Sequence, residues 1–299
     1  MQKLIVILGT NASGKSTIGI KLAKQFNCEI ISADSRQVYA GFDLCSGKVS
    51  VEEMEEIPHH MINICNIGEM FSVADFQTLT YKLISDISNR GKIPMIVGGT
   101  GLYIDSVTQG YVLSQAKPDY ELRKKYELMS MDDLLTEMER LNIKYSQYDQ
   151  EYLSSKRRII RLLEKASNGD YSRDENYPKY NTLQLGVTWP KEDLHRRIDE
   201  RLSMRINKGM IEEVENYLKS GGNKEYLYNL GLEYKYICWY LSGKYESFDI
   251  FYDELSRAIK KFAKKQITWF KRNKDIIWLD MKGDYMEQAK KEIELFLEM

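Results

Sequence analysis

Eight residues near the start of the chain, Gly9-Thr10-Asn11-Ala12-Ser13-Gly14-Lys15-Ser16, fit the spacing G-x-x-x-x-G-K-[ST] and constrain what must surround them. Before them stands Leu4-Ile5-Val6-Ile7-Leu8, an apolar run suited to a strand buried on both faces. After them, Ile18, Leu22, Ala23 and Phe26 recur at helical spacing. Strand, glycine loop and helix start together make a nest of backbone N–H groups backed by a positive helix end, which is an anion site. Lys15 adds a point charge, and the Ser16 hydroxyl is placed to bind Mg²⁺ beside a phosphate. The bland reading is a glycine-rich turn with no ligand, and the flanking strand and helix argue against it. The loop names a ligand class only.

The first hundred residues alternate strand and helix. Glu29-Ile30-Ile31-Ser32 reads as a second strand running into Ala33-Asp34-Ser35-Arg36-Gln37-Val38-Tyr39. Ser72 with Asp75 resembles a capping box, Phe76, Leu79, Leu83 and Ile87 mark a helix face, and Gly91 is placed to end that helix. Pro94-Met95-Ile96-Val97 is another buried strand, closing into Gly98-Gly99-Thr100-Gly101. Such alternation implies a parallel sheet, with ligands beyond the carboxyl ends of its strands. The loops at 9–17, 33–39 and 98–103 are therefore expected to face one crevice.

From about residue 113 to 180 the pattern changes to short polar helices rich in Tyr, Lys and Glu, read as a helical insertion. Leu183 to Trp189 returns to strand character, long helices are expected at roughly 191–220, 226–242 and 248–273, and Ile276 to Leu279 is a last strand before a terminal helix. The expected fold is an α/β, P-loop NTPase-like parallel sheet flanked by helices, formed by 1–112 and 181–299, with the insertion at 113–180. A chain of 299 residues is long enough for this.

The net charge of −1 excludes no partner by itself, because charge is unevenly distributed. Arg257 to Lys274 holds eight Lys or Arg and no acid, with Phe262, Trp269 and Phe270 interleaved. Lys156-Arg157-Arg158 with Arg161 forms a second cationic group. Cations among aromatics suit a nucleic-acid backbone with stacked bases; the alternative is a solvated helix face. Cys28, Cys45, Cys65 and Cys238 show no C-x-x-C pairing and suit thiols in a reducing compartment. No signal peptide and no membrane-length apolar run is evident, so a cytoplasmic protein is expected, and a monomer.

Asp34 is the candidate catalytic carboxylate, because it directly follows the second strand and should reach the crevice beside the phosphate loop. Asp34-Ser35-Arg36-Gln37 packs an acid, a hydroxyl, a guanidinium and an amide into four residues, a composition suited to reading a polar ligand. The strand ending at Val97 runs into Gly98-Gly99-Thr100 rather than an acid, a hint against an NTP-driven motor or switch.

These residues resemble the signature blocks of tRNA dimethylallyltransferases. The blocks are Gly9 to Thr17, Ile31 to Tyr39, Pro58-His59-His60, Phe71 to Phe76, Val97 to Tyr103, Leu194 to Ile198 with Arg201, and Ala263 to Trp269. The likeness runs in order across nearly the whole chain. It implies transfer of a dimethylallyl group from dimethylallyl diphosphate to N6 of the adenosine just 3′ of the anticodon, forming N6-dimethylallyladenosine and diphosphate. It further implies that Gly9, Thr10, Asn11, Ala12, Ser13, Gly14, Lys15, Ser16 and Thr17 bind the donor diphosphate with Mg²⁺, although the motif would read as an ATP site. Asp34 matches the general base and Thr100 a residue beside the acceptor adenine. Asp34, Ser35, Arg36, Gln37, Thr100, Arg123 and the segment Arg157, Arg158, Ile159, Ile160, Arg161 match positions that contact the tRNA anticodon stem-loop. Arg197 and Arg201 match residues that close over the diphosphate. One block departs: the family has a Gly-Tyr pair followed by Lys or Arg where this chain reads Leu230-Gly231-Leu232-Glu233-Tyr234-Lys235.

Three other readings stand beside this one. Adenylate isopentenyltransferase would use the same donor with free AMP, ADP or ATP, for which the insertion and the basic run are surplus. A small-molecule P-loop kinase fits the loop but not the later blocks. A non-catalytic RNA-binding protein fits the basic surface but leaves Lys15, Ser16 and Asp34 without a purpose.

Overall fold

Side chains of the first strand alternate between two cores, and that alternation sets the layers of the molecule. The structure, a computed structural model, describes residues 1–114, 119–170 and 176–299. In β1 (Gln2–Gly9), Ile5 and Ile7 enter one core with Ile18, Leu22 and Ala23 of the helix Lys15–Gln25. Leu4, Val6 and Leu8 enter the opposite core with Phe76, Ile84 and Ile87 of the helix Val73–Asn89. Each fully buried side chain of this kind contributes about 1.5–3 kcal/mol, so a strand apolar on both faces forces a helix onto each.

Around β1 the sheet is completed by β2 (Cys28–Ala33), β3 (His59–His60), β4 (Ile93–Gly98), β5 (Tyr180–Thr188) and β6 (Ile277–Asp280). Their order is β3-β2-β4-β1-β5-β6, and every pairing is parallel, as the strand–helix alternation predicts. Register matters most for function. Leu8 of β1 and Ala33 of β2 both pair with Gly98 of β4, so three strands end at one level. The loops that follow them leave the same edge of the sheet.

The chain divides into two compact units, Met1–Gly110 with Pro178–Met299, and Tyr111–Tyr177. The expected insertion at 113–180 covers most of the second unit; its segments 115–118 and 171–175 lie outside the described residues. That unit has its own core, in which Leu134, Met138, Ile159 and Leu163 are fully buried. In the first unit a third core gathers Leu202, Tyr234 and Phe251 from the helices after β5 around Phe42, which follows β2.

Two expected helices are broken. The run 191–220 is two helices, Lys191–Asn207 and Met210–Lys219, because Gly209 takes φ 100° and reverses the chain. The break lets Glu213 accept N–H bonds from Asp43, Leu44 and Cys45, capping the short helix Asp43–Ser46. The run 226–242 is interrupted by extended backbone at Gly231, between Lys224–Leu230 and Leu232–Leu241. The helix Val73–Asn89 begins with the expected capping box, and Gly91 follows it at φ 72°. Its buried face is Phe76, Thr80, Ile84 and Ile87; Phe76 and Ile87 are as expected, while Thr80 and Ile84 take the inward positions expected of Leu79, which is 36% exposed, and Leu83, which is partly buried. Among the described residues no helix is long and apolar enough to cross a membrane.

Candidate active site

Lys15 and Asp34 open into one pocket. It lies at the level strand ends, and its polar side is formed by Lys15, Ser16, Ser32, Asp34 and Gln37. The three loops expected to share a crevice do so: Gly98 lines this pocket, and Thr100 Oγ1 accepts the Ser35 N–H at 3.1 Å. Asp34 Oδ1 accepts from the N–H of Arg36 at 2.9 Å, which turns the chain and fixes the carboxylate.

The phosphate loop is shaped for an anion. Ala12 and Gly14 take φ 59° and 90°, and the first helical bond runs from Ile18 N–H to the Gly14 carbonyl at 3.1 Å. The amides before Ile18 therefore find no carbonyl within their own helix. Ser13 Oγ is buried without a partner, an orphan polar atom inside the loop. Lys15 Nζ reaches back to the Thr10 carbonyl at 3.3 Å. Burial and the charge of Arg201 push its pKa down to about 8, against the pull of Asp34. Arg201 is itself lowered by burial and by Arg205.

Residues distant in sequence brace this loop. Trp189 Nε1 donates to the Ser13 carbonyl at 2.8 Å, and Arg197 lies over the Trp189 ring while its Nε donates to the Ala12 carbonyl at 2.9 Å. Arg201 donates to the Gly47 carbonyl at 2.9 Å. Both arginines expected at the diphosphate thus stand beside the loop.

Gln266 is the residue that sequence reasoning missed. It is 7% exposed on the helix Phe248–Phe270, where its Oε1 accepts from Asn11 N–H at 3.1 Å and its Nε2 donates to the Gly99 carbonyl at 2.8 Å. One amide ties the phosphate loop to the loop after β4. The signal was an amide in a run of cations, at a spacing that puts it on the buried face with Ile259, Ala263 and Phe270.

Space explains the glycines of Gly98-Gly99-Thr100-Gly101. A Cβ would lie 2.2 Å from the Ala33 carbonyl oxygen at Gly98, 2.8 Å from Gln266 Nε2 at Gly99, and 2.3 Å from the Trp269 ring at Gly101. Trp269 is held in place by its Nε1 bond to Asp105 at 2.7 Å. This corrects the expectation that the aromatics of the basic run are free to stack on bases. Phe270 is buried and Trp269 is engaged, leaving Phe262, 42% exposed, with Lys261, Lys264 and Lys265 outside. The solvated face and the buried face of this helix are both in use.

The cations of the insertion are also partly committed. Glu164, with no exposure, accepts Arg123 on both oxygens at 2.9 and 3.0 Å, as well as Arg161 and the Asp119 N–H at 2.6 Å. Lys156 caps the carbonyls of Glu127 and Met129. Ile159 and Ile160 are buried in the insertion's own core, Arg158 lies over the Tyr152 ring, and Arg157 is exposed. The divergent segment has a structural account as well. Glu233 pairs with Arg205 at 3.2 Å, both largely buried, and Gly231 lies against Arg36.

With this geometry established, known proteins can be set beside it. The family model described as IPP transferase matches residues 37–273. A tRNA dimethylallyltransferase 2 of Citrifermentans bemidjiense is 39% identical over 290 residues, covering 96% of this chain and 93% of that protein. The tRNA isopentenylpyrophosphate transferase of Bacillus halodurans superposes with a TM-score of 0.73 at 32% identity, over 99% of this chain and 95% of that one. A eukaryotic dimethylallyltransferase, described in crystallographic snapshots acting on tRNA, gives a TM-score of 0.80 at 26% identity, over 98% of this chain and 78% of its own.

Proposed function

The chain belongs to the IPP transferase family, and from that premise we propose that it prenylates tRNA, moving a dimethylallyl group from dimethylallyl diphosphate to N6 of the adenosine 3′ of the anticodon. The observation that carries this reading is the shared pocket of Lys15, Ser16 and Asp34. An adenine amino group is a weak nucleophile, since its lone pair is delocalised into the ring. Asp34 accepts an N6 proton as the C–N bond forms, and the C–O bond breaks with its electron pair leaving on diphosphate. Lys15 and the loop amides face the charge that grows there, and one such donor is typically worth about 3 kcal/mol. Arg197 and Arg201 stand beside the same loop and complete the anion site. Thr100, bonded to Ser35 N–H, orders the loop that meets the adenine.

A Mg²⁺ ion suits this site. Among the described residues no cluster of His, Cys, Asp and Glu is built to hold a metal alone, and the Ser16 hydroxyl lines the pocket. That is the donor set of a cation that keeps waters and takes its remaining oxygens from a diphosphate. Bound there, Mg²⁺ would neutralise part of the leaving group's charge.

The tRNA is read by Asp34, Ser35, Arg36, Gln37 and Thr100 at the pocket, with Arg157 and Arg158 supplying cations to the backbone. Arg123 and Arg161 act through Glu164 as well, holding the helix that carries those cations. We place the enzyme in the cytoplasm as a monomer, in keeping with four buried free cysteines. The deciding experiment supplies labelled dimethylallyl diphosphate with tRNA, AMP or ATP. Label on tRNA alone is expected. With Asp34→Asn, kcat/KM should drop about 10²- to 10⁴-fold while tRNA affinity stays within a few-fold. Undiminished turnover would remove Asp34 as the base.

A further inference from the structure

The pocket that holds Asp34 also has carbon walls. Besides the polar groups it is lined by Ile30, Val49, Ile62 and Val97, and by His59, which pairs with Ile30, deeper along β2 than Ser32 and Asp34. His59 belongs to β3, where the direction of consecutive side chains alternates. Its neighbour His60 bonds Glu29 at 2.7 Å. His59 Nδ1 lies 2.7 Å from the Ile57 carbonyl, which can only accept, so this nitrogen carries the hydrogen and the ring is held by backbone. Burial lowers its pKa and keeps it neutral. The strand beneath is fixed in turn by the Ile30 N–H bond to the Pro58 carbonyl at 2.9 Å.

We propose that His59 is the end wall of the prenyl-chain pocket and restricts the donor to a single isoprene unit. The inference rests on the function proposed above. The reacting carbon must lie between the diphosphate at Lys15 and Ser16 and the acceptor at Asp34, so the rest of the donor extends toward the apolar walls. The same pocket must also admit part of a purine, which limits the room left for the prenyl chain. An imidazole ring and an isoprene unit have matching numbers of non-hydrogen atoms, so removing the ring frees the room that a longer chain would need. A purely structural role, tying β3 to Ile57, is the rival explanation. It would affect all donors alike.

The test compares kcat/KM for dimethylallyl diphosphate and geranyl diphosphate with the same tRNA, for the unaltered chain, His59→Ala and His59→Phe. His59→Ala is expected to shift the ratio toward the geranyl donor by about tenfold or more, the scale on which hydrophobic pockets discriminate. His59→Phe, which refills the space without the ring nitrogens, is expected to keep the preference for the shorter donor. A ratio unmoved in His59→Ala, or an equal loss with both donors, overturns the end-wall assignment. Failure of the unaltered chain to prenylate tRNA with dimethylallyl diphosphate overturns the proposed function, and this assignment with it.

Discussion

Replacing Gln266 by Ala tests whether the site is ordered from outside the phosphate loop. The substitution removes two bonds at once: the acceptor for Asn11 N–H at 3.1 Å and the donor to the Gly99 carbonyl at 2.8 Å. A buried backbone group left unpaired costs about 1–3 kcal/mol. Asn11 is half-buried, so water can replace part of its loss, whereas the Gly99 contact is fully enclosed. A net cost of about 2 kcal/mol to the ordered arrangement of the two loops follows, which reduces the competent fraction roughly thirtyfold. Bound diphosphate restores that order, so the donor KM should rise about thirtyfold while kcat stays within about twofold. Gln266→Glu should be no milder, because it sets a carboxylate oxygen against the Gly99 carbonyl oxygen. The assay is steady-state transfer of labelled donor at saturating tRNA, with thermal melting to confirm the fold. A donor KM within twofold of the parent in the folded Ala variant would refute the reasoning. So would a kcat that falls at unchanged KM.

Four further outcomes are expected. Lys15 is charged below a pKa of about 8, so donor affinity should be full below that pH and decline as pH rises through it; Lys15→Met should flatten the profile, as measured by calorimetric titration. Burial pushes the Glu29 carboxyl up, but hydrogen bonds from His60, Lys92 and Arg90 outweigh it and hold the pKa at about 2. Its contribution to stability is therefore present above the ordinary value of 4.5 and lost as pH falls through about 2. Glu29→Gln should cost about 3 kcal/mol in urea unfolding at neutral pH and flatten the acid limb. Arg123→Ala strips buried Glu164 of a two-pronged partner and should lower hydrogen-exchange protection in the helices Tyr120–Leu128 and Lys156–Ser167 by about 3 kcal/mol. Arg157→Ala should leave that protection intact, weaken tRNA binding and reduce the salt slope by about one unit.

Most of the sheet was legible because β1, β2 and β4 are apolar on both faces and close into glycine or polar loops, a pattern that local sequence displays directly; β3, two histidines, carries no such pattern and was not expected as a strand. Asp34 was legible for the same reason: a polar residue immediately after a buried strand lies at the ligand edge of a parallel sheet. Gln266 was not, since its role depends on which loop the helix crosses, and no periodicity carries that information. Nor were the partners of Arg123 and Arg161. A cationic run looks alike whether its charges face solvent or a buried carboxylate, and Glu164, three positions after Arg161, reads from sequence as one more surface acid. The helix break at Gly209 was missed because glycine inside an amphipathic run is often tolerated; here its reversal lets Glu213 reach three amides.

The contact of Gln266 and Trp269 with Gly99 and Gly101 has a bearing on how the molecule comes into being. A polypeptide leaves the ribosome from its amino end, so Asn11 of the anion cradle is synthesised 255 residues before the Gln266 that steadies it. A nascent chain that has not yet released the helix Phe248–Phe270 carries the whole signature of a phosphate binder without a finished place to hold one. Catalytic competence thus waits on that helix, and a product terminated before it would be inert however well β1 to β5 had formed.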